Sequence, residues 1–217
     1  MSIYTVVEGI NADLFKIVSD FYIKDGSKIA DVTYGKGVFW RKIDVDRVEL
    51  LKTDLITVDP PVDFRNLPYE DASIDHVVFD PPYMHTPGKP IVDERYQNSN
   101  TTSKMYHADI MEELYNKGMK EAYRILKEDG YLFVKCQDEI ESGYQRWSHV
   151  EIYLMATTMG FYGKDFFILK PPSIPGIQNK NQQHARKCHS YLWVFQKINK
   201  ERHRKLAHRG IIGYELT

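Results

Sequence analysis

Apolar residues along this chain recur at two spacings. At Leu14, Ile17, Val18 and Phe21 the intervals are three and four residues, one stripe of a helix that Asn11 is placed to cap. Asp25-Gly26-Ser27 is a turn signal, and residues 28–33 then read as a short buried strand. A second strand is predicted over 48–53, ending at Asp54. Pro60-Pro61 exclude a helix and a central strand, so 55–65 is expected to be an extended crossing that ends near Asp63. The run IDHVVF at 74–79 predicts a third strand, leading into Asp80-Pro81-Pro82-Tyr83.

Residues 84–104 are polar and contain Pro87 and Pro90, which predicts a long loop, the kind that serves function or moves. Met111, Leu114, Tyr115, Gly118, Met119, Ala122 and Leu126 then mark an amphipathic helix that Asp129-Gly130 ends. A strand over 131–136 follows. Trp147, Val150, Tyr153 and Leu154 line another helix, and strands are predicted over 166–169 and 191–195, joined by a polar, basic connection at 170–190. Strands alternating with helices predict an α/β fold, an open, mostly parallel doubly wound sheet whose last two strands form an antiparallel edge hairpin. Ligands of such sheets sit at the carboxyl ends of the strands. Asp31, Thr33, Gly35, Asp54, Asp80–Tyr83, Gln137 and Asp138 are therefore expected on one rim. The organisation expected is one domain over 1–197 with a basic tail at 198–217.

Composition narrows the class. With 42% hydrophobic and 27% charged residues, the chain has the usage of a globular protein and not of a disordered one. No apolar run is long enough to span a membrane, the amino terminus does not read as a signal peptide, and two cysteines are too few for a disulfide framework. A cytoplasmic protein is expected. The net charge of −1 carries no global nucleic-acid signature, so a nucleic-acid argument rests on local patches.

Two motifs carry chemistry. Asp31-Val-Thr33-Tyr-Gly35-Lys-Gly37 is a strand-to-helix turn with two glycines. It lacks the third glycine of a dinucleotide fingerprint, position 40 being Trp, and lacks the Gly-Lys-Ser/Thr of a phosphate loop. A ligand loop and a plain tight turn both remain open for it. Asp80-Pro81-Pro82-Tyr83 is more specific. With the acidic glycine turn before it, it resembles the signature of S-adenosylmethionine-dependent DNA amino methyltransferases of the adenine-N6 class, and small phage or prophage methylases in particular. The similarity extends through Lys135-Cys-Gln-Asp138 and 184–195. The resemblance implies a Rossmann-like class I methyltransferase fold, S-adenosyl-L-methionine as cofactor without a metal, and DNA as partner. It implies that Asp31, Thr33, Gly35 and Gly37 hold the methionine end of the cofactor, Asp54 the ribose, and Asp63 and Phe64 the adenine, with Asp80 bordering both cofactor and target. The pattern departs from the family between Asp54 and Asp63, where the usual crossover helix is missing.

The residue types suit amine methylation. An exocyclic amine is a poor nucleophile because its lone pair is delocalised into the ring. Asp80 and the carbonyl of Pro81 offer two acceptors for its hydrogens, Pro81 and Pro82 stiffen the turn, and Tyr83 offers a face for a stacked, extruded base. Lys135, Gln137, Gln183 and Arg186 are candidate substrate contacts, beside Lys89, Arg95 and Lys104. His184, Cys188 and His189 resemble a metal site only superficially. Lys197, Lys200, Arg202, Arg204, Lys205 and Arg209 against Glu201 read as a solvated tail or a phosphate-tracking one. The rival readings are a cytosine-N4 enzyme, where Ser often replaces the Asp, an RNA methyltransferase, and an inactive cofactor-binding module.

Overall fold

The computed structural model describes residues 2–85, 102–103, 105–172, 183–185 and 187–212. The main sheet has seven strands: β1 (Val6–Glu8), β2 (Lys28–Asp31), β3 (Glu49–Lys52), β4 (Ile74–Phe79), β5 (Leu126–Cys136), β6 (Phe161–Lys170) and β7 (Ser190–Lys197). Their order is β1-β6-β7-β5-β4-β2-β3. All pairings are parallel except the two that β7 makes, with β6 and β5. The doubly wound sheet with a C-terminal antiparallel pair is thus present. The short strand β1, which the sequence pattern did not announce, borders that pair on its outer side.

Period-two alternation sorts side chains onto two faces. Val77 and Phe79 of β4, with Leu132, Val134 and Cys136 of β5, meet Met119 and Ala122 of helix α2 (Lys117–Ile125) and Ile152 and Ala156 of α3 (Ser148–Thr158). Val78 and Phe133 point the other way, toward Leu14, Phe15 and Val18 of α1 (Asn11–Tyr22). There the Phe15 ring lies 5.1 Å from Phe39, 5.2 Å from Trp40 and 5.7 Å from Phe133, locking α1 to the 3-10 turn Val38–Lys42. The α1 stripe is rotated from its expected position. Phe15 and Tyr22 are buried in place of Phe21, which is exposed, and Asp13 receives the Ile10 amide at 2.9 Å, so Asn11 is already inside the helix. A π-helical stretch, Ile110–Asn116, precedes α2.

Three expectations are corrected. Leu126 begins β5 instead of ending the helix, because it pairs with Ile74 and the chain turns at Asp129 with φ of 62°. Helix α3 buries Ser148, Ile152 and Ala156, whereas Trp147, Val150 and Leu154 face outward. The basic segment past β7 is a helix, α4 (Lys200–His208), and not a loose tail. Asn199 caps it by accepting the Arg202 amide, and His203 is fully buried. Its contacts to Glu128 and Asp129 lie beside the start of β5, at the end of the sheet opposite the strand carboxyl ends.

The crossing at 53–73 has no regular structure, as Pro60-Pro61 suggested. Arg124 of α2 holds it by donating to the Leu67 and Tyr69 carbonyls and to Asp71, while Glu121 accepts the Leu67 amide at 2.8 Å. The expected substrate loop at 84–104 lies outside the described residues, apart from a two-residue pairing of Met84–His85 with Thr102–Ser103. No described helix is long and apolar enough to cross a membrane.

Candidate active site

β2, β3, β4 and β5 are parallel, so Asp31, Asp54, Asp80 and Gln137 emerge at one rim; β7 runs against them and brings Ser190 there. The rim is knitted by its own backbone. Thr53 donates to the Asp31 carbonyl (2.9 Å), Tyr34 to the Thr53 carbonyl (3.1 Å), and the Asp80 amide to Thr33 Oγ1 (2.7 Å). Asp54 Oδ2 accepts the Gly35 amide at 3.0 Å, and its Oδ1 accepts the amides of Ile56 and Thr57. Thus the glycine turn, the second strand end and the Asp-Pro-Pro-Tyr turn form one unit.

The two glycines differ in what they need. Both have positive φ, 53° at Gly35 and 64° at Gly37. A Cβ on Gly37 would lie 2.6 Å from the Tyr34 hydroxyl, so Gly37 is fixed by the turn's own packing. A Cβ on Gly35 would meet nothing nearer than the Thr33 carbonyl at 3.8 Å, which leaves open space beside that backbone.

Carboxylates dominate the electrostatics. Asp31 is buried, donating groups at Thr33 N (3.1 Å) and Trp40 Nε1 (2.7 Å) face it, and burial, aided by Asp80 and Asp54, still pushes its pKa up to about 7. Burial likewise raises Asp80 to about 6, against the pull of the Lys135 ammonium. Asp80 Oδ1 is buried and has no hydrogen-bond partner among the described residues. Such a group costs stability unless something outside the chain completes it. Lys135 is 1% exposed, donates to Ser190 Oγ at 2.6 Å and lies 5.5 Å from the centre of the Tyr83 ring; burial lowers its pKa. A buried Asp31 whose pKa is raised by burial and by the neighbouring Asp80 and Asp54 makes a site suited to a cationic ligand.

The remaining candidates are placed as follows. Asp63 is bound by Arg65, which holds its carboxyl below the usual range, and Phe64 packs edge-on against Phe79 at 5.1 Å. Pro81 is buried, while Pro82, Tyr83 and Gln137 are half-buried. Asp138 is taken up by His149 Nδ1 at 2.7 Å and the Tyr191 hydroxyl at 3.3 Å. Gln183 is exposed, and Arg186, Lys89, Arg95 and Lys104 lie outside the described residues. His184 Nε2 meets the Gly143 carbonyl and His189 Nε2 the Tyr191 hydroxyl. Sequence reasoning missed Trp40 as the donor to Asp31, and Ser190 as the partner of Lys135. It also missed the hairpin Glu139–Glu141/Tyr144–Arg146, which the Ser142-Gly143 turn signal could have revealed.

Compared by sequence with curated proteins, the chain matches none. In solved structures, the fold is similar to a SAM-dependent methyltransferase from Methanosarcina mazei at 11% identity and TM-score 0.51, covering 83% of this chain and 97% of that one. A SAM-dependent methyltransferase from Aquifex aeolicus is similar at 11% identity and TM-score 0.50, with 84% and 88% covered. TrmN from Thermus thermophilus gives 11% identity and TM-score 0.53, covering 86% of this chain but 48% of that one. At these identities the likeness establishes the fold, that of SAM-dependent methyltransferases. The sequence profile of the N6/N4 DNA methylases matches residues 74–211, well over half of the chain and inclusive of Asp80–Tyr83 and Lys135. A rim built on that tetrapeptide, on this fold and under that profile, leads to one conclusion: the chain belongs to the N6/N4 DNA methylase family.

Proposed function

We propose that the protein transfers a methyl group from S-adenosyl-L-methionine to the exocyclic N6 amine of adenine in DNA, acting on an extruded base. The observation that carries this reading is Asp80 Oδ1: buried, without a partner among the described residues, and three residues before Tyr83. A carboxylate oxygen held in that state is an acceptor waiting for a donor, and the amine of a base supplies one. Asp rather than Ser at this position supports adenine over cytosine.

The fit to the cofactor rests on the open space beside Gly35 and on the carboxylates around it. When bound, S-adenosylmethionine supplies a methyl group already activated on a cationic sulfur. Asp31, Thr33, Gly35 and Gly37 hold its methionine end, Asp54 its ribose, and Asp63 with Phe64 its adenine. Asp80 and the Pro81 carbonyl accept the hydrogens of the target amine, drawing its nitrogen toward a tetrahedral shape that frees the lone pair. Tyr83 stacks on the base. Lys135, held by Ser190 beneath the Tyr83 ring, keeps a positive charge near Asp80 and favours its ionised, accepting form. Gln137, Gln183 and Arg186 serve the DNA side. The protein's work is positioning, an effect worth up to about 7–11 kcal/mol.

Incubation with methyl-labelled cofactor and DNA, then mass spectrometry of the digested nucleosides, tests this. N6-methyladenine is expected. N4-methylcytosine would transfer the reading to the cytosine branch, and label in neither base would overturn it.

A further inference from the structure

The hairpin Glu139–Glu141/Tyr144–Arg146 leaves the rim directly after Gln137 and Asp138, and its first strand runs close to the backbone of Met84–His85, the residues that follow Tyr83. Its turn is Ser142-Gly143, with φ of 51° and 83°. Two positive φ values in a two-residue loop give the primed turn that matches strand twist, so the tip is stiff. The hairpin is braced from the protein side along its whole length, from Glu139 at its base to the Ser142-Gly143 turn. Glu141, 5% exposed, accepts the His107 amide at 2.8 Å and pairs with Arg146 at 2.8 Å. Glu139 meets His107 Nδ1 at 2.9 Å, and His184 Nε2 meets the Gly143 carbonyl at 2.8 Å.

None of this bracing uses the aromatic side chain at the tip. Tyr144 is 72% exposed, and Trp147, where the hairpin ends, is 53% exposed with the Lys187 ammonium 5.0 Å from its ring centre. A stiff, anchored strand pair that carries an exposed Tyr past the rim, with a cation over the next aromatic, has the chemistry of a base-stacking element with a phosphate contact beside it.

We propose that this hairpin is a wedge that enters duplex DNA next to the extruded target, with Tyr144 stacking in the space the base leaves. The inference rests on the proposed DNA reading and deepens it. Extruding a base costs a few kcal/mol of stacking and pairing, and an aromatic ring filling the gap offsets part of that cost. The occupant is double-stranded DNA, because the hairpin adjoins Asp80–Tyr83 and a duplex, unlike a single strand, holds the gap open through the pairing of the neighbouring bases.

The test compares Tyr144→Ala, Tyr144→Phe and the distant control Phe21→Ala on one target sequence in double- and single-stranded form. Tyr144→Ala should lower kcat/KM on the duplex by about tenfold, well within the worth of one base–aromatic stack, and leave the single strand within about threefold. Tyr144→Phe, which keeps the ring, should restore the duplex rate. With 2-aminopurine at the target position, wild-type protein should raise fluorescence and Tyr144→Ala should raise it less. Equal losses on both substrates, or no loss on either, would overturn the wedge while wild-type methylation kept the enzyme reading intact. Failure of the wild type to methylate either DNA would overturn the enzyme reading instead.

Discussion

Replacing Asp80 by Asn should make the protein more stable and inactive. The Asp80 carboxyl is buried, one oxygen lacks a partner, and its pKa lies at about 6. In an unfolded chain an Asp titrates near ~3.9. A carboxyl whose pKa rises on folding contributes stability while protonated; that contribution is complete below about pH 4 and is lost as the pH climbs through about 6. At about 1.4 kcal/mol per pKa unit, two units make the ionised group cost the fold up to about 3 kcal/mol at pH 7.5. Asparagine keeps the shape and drops the charge. Thermal melts at pH 7.5 should therefore show Tm higher by several degrees for Asp80→Asn, at roughly 2–4 °C per kcal/mol for a chain of this size. Below about pH 4 the two curves should meet, since both side chains are then neutral. In parallel, methyl transfer to DNA should fall to background while cofactor affinity measured by calorimetry stays within about tenfold, or 1.4 kcal/mol. A Tm at pH 7.5 equal to or below the wild type would refute the argument that this oxygen is held unsatisfied for a substrate. A variant that kept its rate would refute the role.

The same titration sets a pH profile: kcat/KM should decline as pH falls through about 6, and a rate flat from pH 8 to pH 5 would contradict it. Asp54→Ala removes the acceptor for Gly35, Ile56 and Thr57 and the proposed ribose contact, so the cofactor dissociation constant should rise by about 10- to 100-fold, or 1.5–3 kcal/mol; an unchanged constant would leave Asp54 a turn residue only. Gly37→Ala should destabilise by about 1–3 kcal/mol through its positive φ and its clash with Tyr34, whereas Gly35→Ala should melt nearer the wild type but bind cofactor poorly; the reverse order in denaturant titrations would refute the assignment of space. His107 lies between Glu139 and Glu151; burial pulls its pKa down, but the two carboxylates outweigh it and raise the value. Its stabilisation is therefore full below about pH 6 and fades as pH rises past its folded value, so His107→Gln should lose most against wild type in urea melts at acidic pH and least at alkaline pH.

Much of the architecture is written locally. The runs at 74–79 and 131–136 are apolar on both faces, which only a sheet covered on both sides satisfies, and each ends in polar residues that must then share one rim. Strand direction and the carboxyl-end rule thus bring Asp31, Asp54 and Asp80 together before any coordinate is known. Pro60-Pro61 forbid a crossover helix by their missing amides, and none is there. Other features depend on partners remote in sequence. Which stripe of α1 is buried was decided by the Phe39, Trp40 and Phe133 rings, and the outward face of α3 by how it meets β6 and Trp193 of β7. The basic residues after β7 read as a tail because their helix is held by Glu128 and Asp129, some seventy positions away, together with a buried His203. The strand β1 is three residues long, and its pairing with Ile168–Lys170 is a contact that no local pattern encodes. The state of the site is likewise tertiary. That Asp31 receives the Trp40 indole, that Lys135 lies under Tyr83, and that Asp80 keeps one oxygen without a donor follow from burial and side-chain packing. A linear pattern of residue types can name the groups at a rim, but only the folded chain decides which of their hydrogen bonds are left for a ligand.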